Sequence, residues 1–423
     1  MKLVYPICCG ADVHKKHVTA TIARTDKKNI TTYVTETFTT LSDGLRCFGN
    51  WLKIQDCMHV CLESTGKYWI PVFNVLEKAG VHVVLTHPKY VRAIKGQKTD
   101  KKDSRWIADL FKFDLVRASI IPTQDFRAMR ELARYRSKLV HMRTSEKNRF
   151  QNAHTLSNIG LGSVLTDSLG KTSSNITEYL LETEEIDEEF VKSLIHKSAR
   201  KKTELILDAI RSSEISPDQR FKLKATMSHI EYLDALIAKT ELELFKHMRP
   251  HMALVQFLAE QLPGVTELSA ALIIAEIGVD MKTYESSKRL VAWAGLAPTN
   301  NESAGKKKST RISRAGHFLK PILVQCALAA IRDKREPYFA IKYERIKRRR
   351  GHNRAIIAIA RMMLTCIYHM IDTGEVFNPS DYEELHHCES LPDRQSVPLS
   401  DEDAIAFLVA QGYDVSSLTK KLT

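Results

Sequence analysis

At 423 residues and 48.1 kDa the chain is too long for one hydrophobic core, so two or three domains are expected. Its 43% hydrophobic and 27% charged residues exclude wholesale disorder. The net charge of +13 is confined to residues 301–361, with 17 Lys/Arg against 4 Asp/Glu, while from Met362 onward 3 Lys/Arg face 11 Asp/Glu; this predicts a basic surface for a polyanion, followed by an acidic tail.

The opening Met1-Lys-Leu-Val-Tyr-Pro has no secretory pattern. Ile7–Val13 and His17–Ala23 are short β-rich runs joined by His14-Lys-Lys, which predicts a hairpin. Thr31–Phe38 reads as a third strand. A helix starts at Ser42, with Leu45, Phe48, Trp51 and Leu52 at helical spacing. Strand Met58–Leu62, helix Pro71–Ala79 and strand Val81–Leu85 follow, the last apolar enough to predict a central place in a mixed sheet with helices on its faces. From Asp125 to Met248 the apolar spacing predicts long amphipathic or coiled-coil helices, with a break over Ile159–Asn175.

Leu262 to Asp372 reads as a helical block. Leu262-Pro-Gly-Val, then Glu267–Ile277 and Gly278, has the pattern of a helix-hairpin-helix, which would offer backbone N–H groups to phosphates. Arg345–Arg354 is a basic turn feeding a buried helix. The apolar run Ala355–Met370 is broken by Arg361 and falls short of a membrane span. Beyond Phe377 lies the acidic tail, with a short helix over Asp401–Ala410. The eight cysteines include no CxxC pair, so free thiols in a reducing cytoplasm are expected.

Two constellations carry chemistry. Asp12 ends the first strand, Glu63 ends the fourth, and Asp100 and Asp103 stand three apart at the start of a helix, where they share a face. Hard carboxylate oxygens so placed suit a pair of Mg²⁺ (or Mn²⁺) ions over a scissile phosphate. Lys98, Lys101, Lys102 and Arg105 surround the acidic pair, as bases near a nucleic-acid backbone should. The second constellation is Ser303, followed by the small Ala304 and Gly305 and then Lys306, Lys307, Lys308, Arg311 and Arg314. A serine hydroxyl needs a base or a metal to become a nucleophile, and Glu302 is the adjacent acid. Arg348, Arg349, Arg350 and Arg354 add sequence-independent phosphate contacts.

Asp12, Glu63-Ser-Thr-Gly-Lys-Tyr-Trp, Thr86-His-Pro, Ile94-Lys-Gly-Gln-Lys-Thr-Asp-Lys-Lys-Asp and Gly295–Lys306 together resemble the DEDD insertion-sequence transposases, whose relatives include the pilin-gene invertases. The resemblance runs in order from about Val4 to Asp372. It implies an α/β plus all-α chain: an RNase H-like (RuvC-type) mixed-sheet catalytic domain over 1–124, a coiled-coil dimerisation region over 125–255, and a helical transposase domain over 256–376. The tail 377–423 lies outside it. It also implies that Asp12, Glu63, Asp100 and Asp103 bind metal and that Ser303 forms a covalent phosphoserine. The further implications are an element-encoded bridge RNA that pairs with donor and target DNA, a homodimer assembling to a tetramer, and a place in the bacterial cytoplasm at the nucleoid, away from membranes. Three other readings use the same residues. A junction nuclease would need the four acids but not Ser303, a protein-read DNA invertase would need no RNA, and a purely nucleic-acid-binding protein would need neither acids nor serine.

Overall fold

The computed structural model describes residues 2–63, 66–91, 99–298, 301–303, 306–309 and 311–381, with the backbone alone described over 301–309. The chain divides into two compact units, Met1–Ala128 and Met129–Thr423.

The first unit is built on a five-stranded sheet of β1 (Ile7–Val13), β2 (His17–Thr25), β3 (Thr31–Thr39), β4 (His59–Glu63) and β5 (His82–Thr86), in the order β3-β2-β1-β4-β5. The first three strands form an antiparallel meander; β4 and β5 then run parallel to β1. Side chains alternate between the two faces of each strand. Cys9, Ala11 and Val13 join Val18, Ala20, Ile22, Val60 and Leu62 in a core covered by α1 (Ser42–Ile54) and α2 (Trp69–Lys78). The intervening Cys8, Ala23 and Cys61 face the other way and pack on Ile107, Ala108 and Phe111 of α3 (Asp100–Phe111). That face also carries Asp12 and Glu63, which follow Cys8 and Cys61 at even spacing.

Helix α3 lies close to β1 because residue 10 has no side chain. A Cβ there would meet Ala108 N and Ser104 O at 2.3 Å. Burial of this interface keeps the thiols protonated: it pushes Cys8 up to about 12 and Cys61 higher still, and both are free. One expectation fails here. β5 is an edge strand, not a central one. Its apolar residues are explained by cover on both faces, since Val83 packs on the α1/α2 side and Val84 on the α3 side.

Helix α4 (Gln124–Leu156) carries the chain into the second unit, and α9 (Pro217–Met248) returns antiparallel to it. Leu139 packs with Leu233 and Ile237, while Arg136–Glu241 at 2.6 Å and Arg143–Asp234 at 2.6 Å set the register. These stripes are used within one chain. Between the two helices, α5 (Leu161–Val164), α6 (Lys171–Glu182), α7 (Glu188–Leu194) and α8 (Thr203–Arg211) form a small lobe around Ile176, Leu180, Ile206 and Ile210. The break expected over Ile159–Asn175 ends early, because α6 already begins at Lys171.

The rest of this unit is helical: α10 (Met252–Gln261), α11 (Glu267–Ile277), α12 (Ser287–Trp293), then the hairpin β6 (Asn301–Ser303) and β7 (Lys306–Ser309), then α13 (Leu319–Ala330), α14 (Tyr338–Arg350) and α15 (His352–Thr373). At the turn between α10 and α11, a Cβ on Gly264 would lie 2.4 Å from Cys326 O and 2.5 Å from Ala330 N. The turn therefore packs on α13, and the reciprocal Thr266–Ser269 capping box engages the backbone N–H groups of Thr266 and Ser269 at the start of α11. Helix α15 is longer than the apolar run Ala355–Met370 and, among the described residues, is the one helix long and apolar enough to cross a membrane, with mean hydropathy 1.5. Its Ile356, Ile359, Met363, Leu364 and Ile367 are buried, and it is the core helix of this block.

The Arg348–Arg350 run is the last turn of α14 rather than a turn between helices; Gly351, at φ 79°, makes the junction. Cations at a helix C-terminus complement its dipole. The first residues of the expected tail are also tied down. Phe377 stacks on Phe339, and Asp381 accepts hydrogen bonds from Tyr338 Oη and Lys342 Nζ. The helix expected over 401–410 lies outside the described residues.

Candidate functional site

Asp12 is 7% exposed at the carboxyl end of β1, on the face that α3 covers. Glu63 ends the parallel neighbour β4, one residue beyond the last β1–β4 pair, Ala11 with Leu62, so the two acids occupy adjacent strand ends. Thr99 caps α3, its Oγ1 accepting from Lys102 N, and sets Asp100 and Asp103 in the first turn. Ser104 and Ile107 continue the same helical face, and the buried Ser104 Oγ lies 2.7 Å from Thr21 Oγ1 on β2. This seam fixes where the helical acids stand relative to the strand. Asp109, six positions after Asp103, instead accepts from Tyr33 Oη and Lys112 Nζ, each at 2.6 Å, and is structural.

Two residues that the sequence reading passed over complete the cluster. His14 Nε2 lies 3.2 Å from Asp12 Oδ2 and 3.4 Å from Asp100 Oδ1, bridging strand and helix. His17 Nε2 lies 3.0 Å from the other Asp100 oxygen, and the two rings stand 4.9 Å apart. Among the described residues, His14, His17 and Asp100 present ligand atoms within 4.8 Å of one another. The signal for them was His-x-x-His across the first hairpin, read for its turn alone.

The electrostatics favour a cation. Burial pushes the Asp12 carboxyl above the usual range; His14 pulls it back, and Asp100 and Asp103 push it up again. Asp100 is held below the usual range, chiefly by its hydrogen bond from His17. Converging, partly buried carboxylates and imidazoles are a donor set that suits a divalent metal. Around it Lys101, Lys102 and Arg105 are exposed, with the Arg105 guanidinium stacked 3.7 Å over the Tyr33 ring. Lys98 lies outside the described residues.

Ser303 ends β6, paired with Lys306, and Glu302 pairs with Lys307, so the expected basic loop is a two-stranded hairpin. Its base is narrow. A Cβ on Gly295 would lie 2.4 Å from Ala315 O, and one on Gly316 1.9 Å from Ala294 O, with both residues at positive φ. Two strands of backbone therefore cross in contact, and Pro298 bridges to Ile312 above them. Lys306, Lys307 and Lys308 lie on β7, Arg311 and Arg314 are exposed beyond it, and Arg348, Arg349, Arg350 and Arg354 are exposed at the α14–α15 junction.

Comparison with known proteins covers both constellations. A transposase family model of the DEDD, IS110 type matches residues 9–158, which include the four acids. A second, described as a transposase of the IS116/IS110/IS902 family, matches residues 257–344, which include Ser303. A probable family 20 transposase of Pseudomonas aeruginosa is 23% identical over 66% of this chain and 73% of its own length. The transposase for insertion sequence element IS1111A of Coxiella burnetii is 24% identical over 75% of this chain and 79% of its own. An uncharacterized 42 kDa protein of insertion element IS900 from Mycobacterium paratuberculosis is 30% identical, over 35% of this chain and 37% of its own.

Proposed function

We propose that this chain, which belongs to the IS110/IS116 transposase family, cuts and rejoins DNA with Ser303 as nucleophile at a metal site made by Asp12, Glu63, Asp100 and Asp103. The observation that carries the reading is the convergence of the nearly buried Asp12 with Asp100 through His14 at the carboxyl end of β1. Like charges gathered in a partly dry place are costly unless a cation joins them. Bound Mg²⁺ or Mn²⁺ would polarise the scissile phosphate and offset charge on the leaving oxygen.

The residues of the chain then divide the work. Asp12, Glu63, Asp100 and Asp103 hold the ion; Lys101, Lys102 and Arg105 draw in the phosphodiester backbone. Ser303 Oγ loses its proton and bonds to phosphorus as the bond from phosphorus to the neighbouring sugar oxygen breaks, and that oxygen takes up a proton. The resulting phosphoserine keeps the diester energy, so a second strand end can reverse the step without ATP. Lys306, Lys307, Lys308, Arg311 and Arg314 neutralise the phosphates beside it. Residues 1–124 would thus act as a RuvC-like catalytic domain, 125–255 as a dimerisation region and 256–376 as the serine-bearing domain, with the acids of one subunit meeting the serine of another in a dimer or tetramer. A structured RNA encoded beside the gene would choose donor and target by base pairing, leaving the protein to hold backbone and shape.

The test is trapping of a protein–DNA adduct on a denaturing gel, with end-labelled DNA carrying the flanks of the gene. The wild type is expected to form a metal-dependent adduct, and Ser303→Ala and Asp12→Asn to form none. Strand cleavage retained by Ser303→Ala would mean that water, not serine, is the nucleophile. Sequencing the RNA that copurifies from cells carrying those flanks tests the guide; its reproducible absence favours a protein-read invertase.

A further inference from the structure

The hairpin between β1 and β2 puts two imidazoles inside the acidic cluster, and nothing in the folding of the sheet demands them there. The turn itself is closed by His14 N donating to His17 O at 2.9 Å, and is clamped by Thr40, just past the end of β3, whose Oγ1 donates to Lys15 O at 2.7 Å and whose N donates to Lys16 O at 3.1 Å. Positions 14 and 17 contribute only backbone atoms to that closure, so the turn does not require their histidine side chains. Both rings are nevertheless turned toward carboxylates, and the half-exposed His17–Asp100 pair adds little to stability.

Their spacing suits another role. Neighbouring ligands of an octahedral ion with bonds of about 2.1 Å stand about 3.0 Å apart. His14 Nε2 to Asp12 Oδ2 is 3.2 Å, His14 Nε2 to Asp100 Oδ1 is 3.4 Å, and His17 Nε2 to Asp100 Oδ2 is 3.0 Å. The clamp on Lys15 and Lys16 fixes the backbone that carries both rings, and their contacts with Asp12 and Asp100 aim the nitrogens before an ion arrives, which lowers the cost of binding.

We infer that His14 and His17 are nitrogen ligands of the divalent ion held by Asp12 and Asp100, and that the site therefore binds Mn²⁺ and the later divalent metals more tightly than Mg²⁺. Imidazole adds little affinity for the hard Mg²⁺ and more for the later divalent metals. The inference rests on the metal site proposed above and assigns its coordination and preference.

The experiment uses the full-length chain, stripped with chelator and loaded with Mn²⁺ at neutral pH. Electron spin echo modulation of the frozen sample is expected to show ¹⁴N coupling, replaced by ¹⁵N coupling when the histidines are labelled. His14→Gln and His17→Gln should each weaken the modulation, and the double variant should lose it. Calorimetric titration should show the wild type preferring Mn²⁺ over Mg²⁺ by on the order of tenfold or more, a margin that shrinks in the double variant. Bound Mn²⁺ without nitrogen coupling, or coupling that survives in the double variant, would overturn the histidine assignment and leave the carboxylate site standing. Failure of the wild type to bind Mn²⁺, or binding unchanged in Asp12→Asn, would overturn both.

Discussion

The close approach of α3 to β1 at Gly10 positions the helical acids over the strand acid, and it can be perturbed by one methyl group. A Cβ at residue 10 would stand 2.3 Å from Ala108 N and from Ser104 O. Reaching ordinary contact at 3.4 Å requires α3 to back away by about 1.1 Å, since both obstacles are helix backbone and neither can rotate aside. Overpacking of this kind costs about 1–3 kcal/mol, on the order of 4–12 °C in the unfolding of a unit this size. Asp100 and Asp103 ride on the same helix, and a displacement of about 1 Å at reacting groups costs on the order of 10²-fold in rate. Gly10→Ala is therefore expected to lower both the unfolding temperature and the yield of the DNA adduct, and to weaken Mn²⁺ binding. Gly49→Ala is the control: it sits mid-helix in α1, where a Cβ meets nothing within 4 Å, and should be neutral or stabilising by roughly 0.5–1 kcal/mol. Should Gly10→Ala melt and react like the wild type, the packing argument for the site is wrong.

Other perturbations test separate parts of the chain. Glu276, 2% exposed, accepts from Arg134 at 2.8 and 2.9 Å and lies 3.7 Å from Arg130; Glu276→Ala removes the carboxylate that both guanidiniums face and should cost about 3 kcal/mol in urea unfolding, while Glu243→Ala, at a half-exposed ion pair with Lys246, should shift the curve far less. His154, 3% exposed, is pushed by burial down to about 4 from 6.5. A buried neutral histidine supports the fold above the unfolded value, and that support fades as pH falls from about 6.5 through about 4. Stability of the α5–α8 lobe should drop by on the order of 3 kcal/mol across that window, and His154→Gln should flatten the profile. Asp12 shifts the other way, upward, so stability is lost as pH rises from its unfolded value of 3.8 to the higher folded value, where the loss is complete. In chelator, Asp12→Asn should then melt higher than the wild type at neutral pH, with the gap closing toward pH 4; a wild type that melts as high at neutral pH contradicts the burial argument.

Local pattern determined a great deal. β-rich runs marked β1, β2 and β4, and β-branched alternation marked β3, which placed Asp12 and Glu63 at strand ends, because β propensity is carried by the residues themselves. The i, i+3 spacing put Asp100 and Asp103 in one helical turn, and helical spacing marked α1, α4, α9 and α11. The compositional jump over 301–361 located the basic segment, since charge is additive along a chain.

Tertiary structure decided what depends on neighbours far away in sequence. The apolar β5 was read as central, yet it lies at the edge, because an apolar strand records how many faces are covered and not how many strands flank it. The pairing of α4 with α9 could not be told from pairing with another chain, since the same stripe serves either. His14 and His17 acquired meaning only when a helix more than 80 residues later brought Asp100 to them. Likewise Gly10, Gly295 and Gly316 are unremarkable letters until another backbone comes within reach. Periodicity belongs to a segment, whereas a site belongs to the space between segments, and that space is set by which surfaces the chain can bury together.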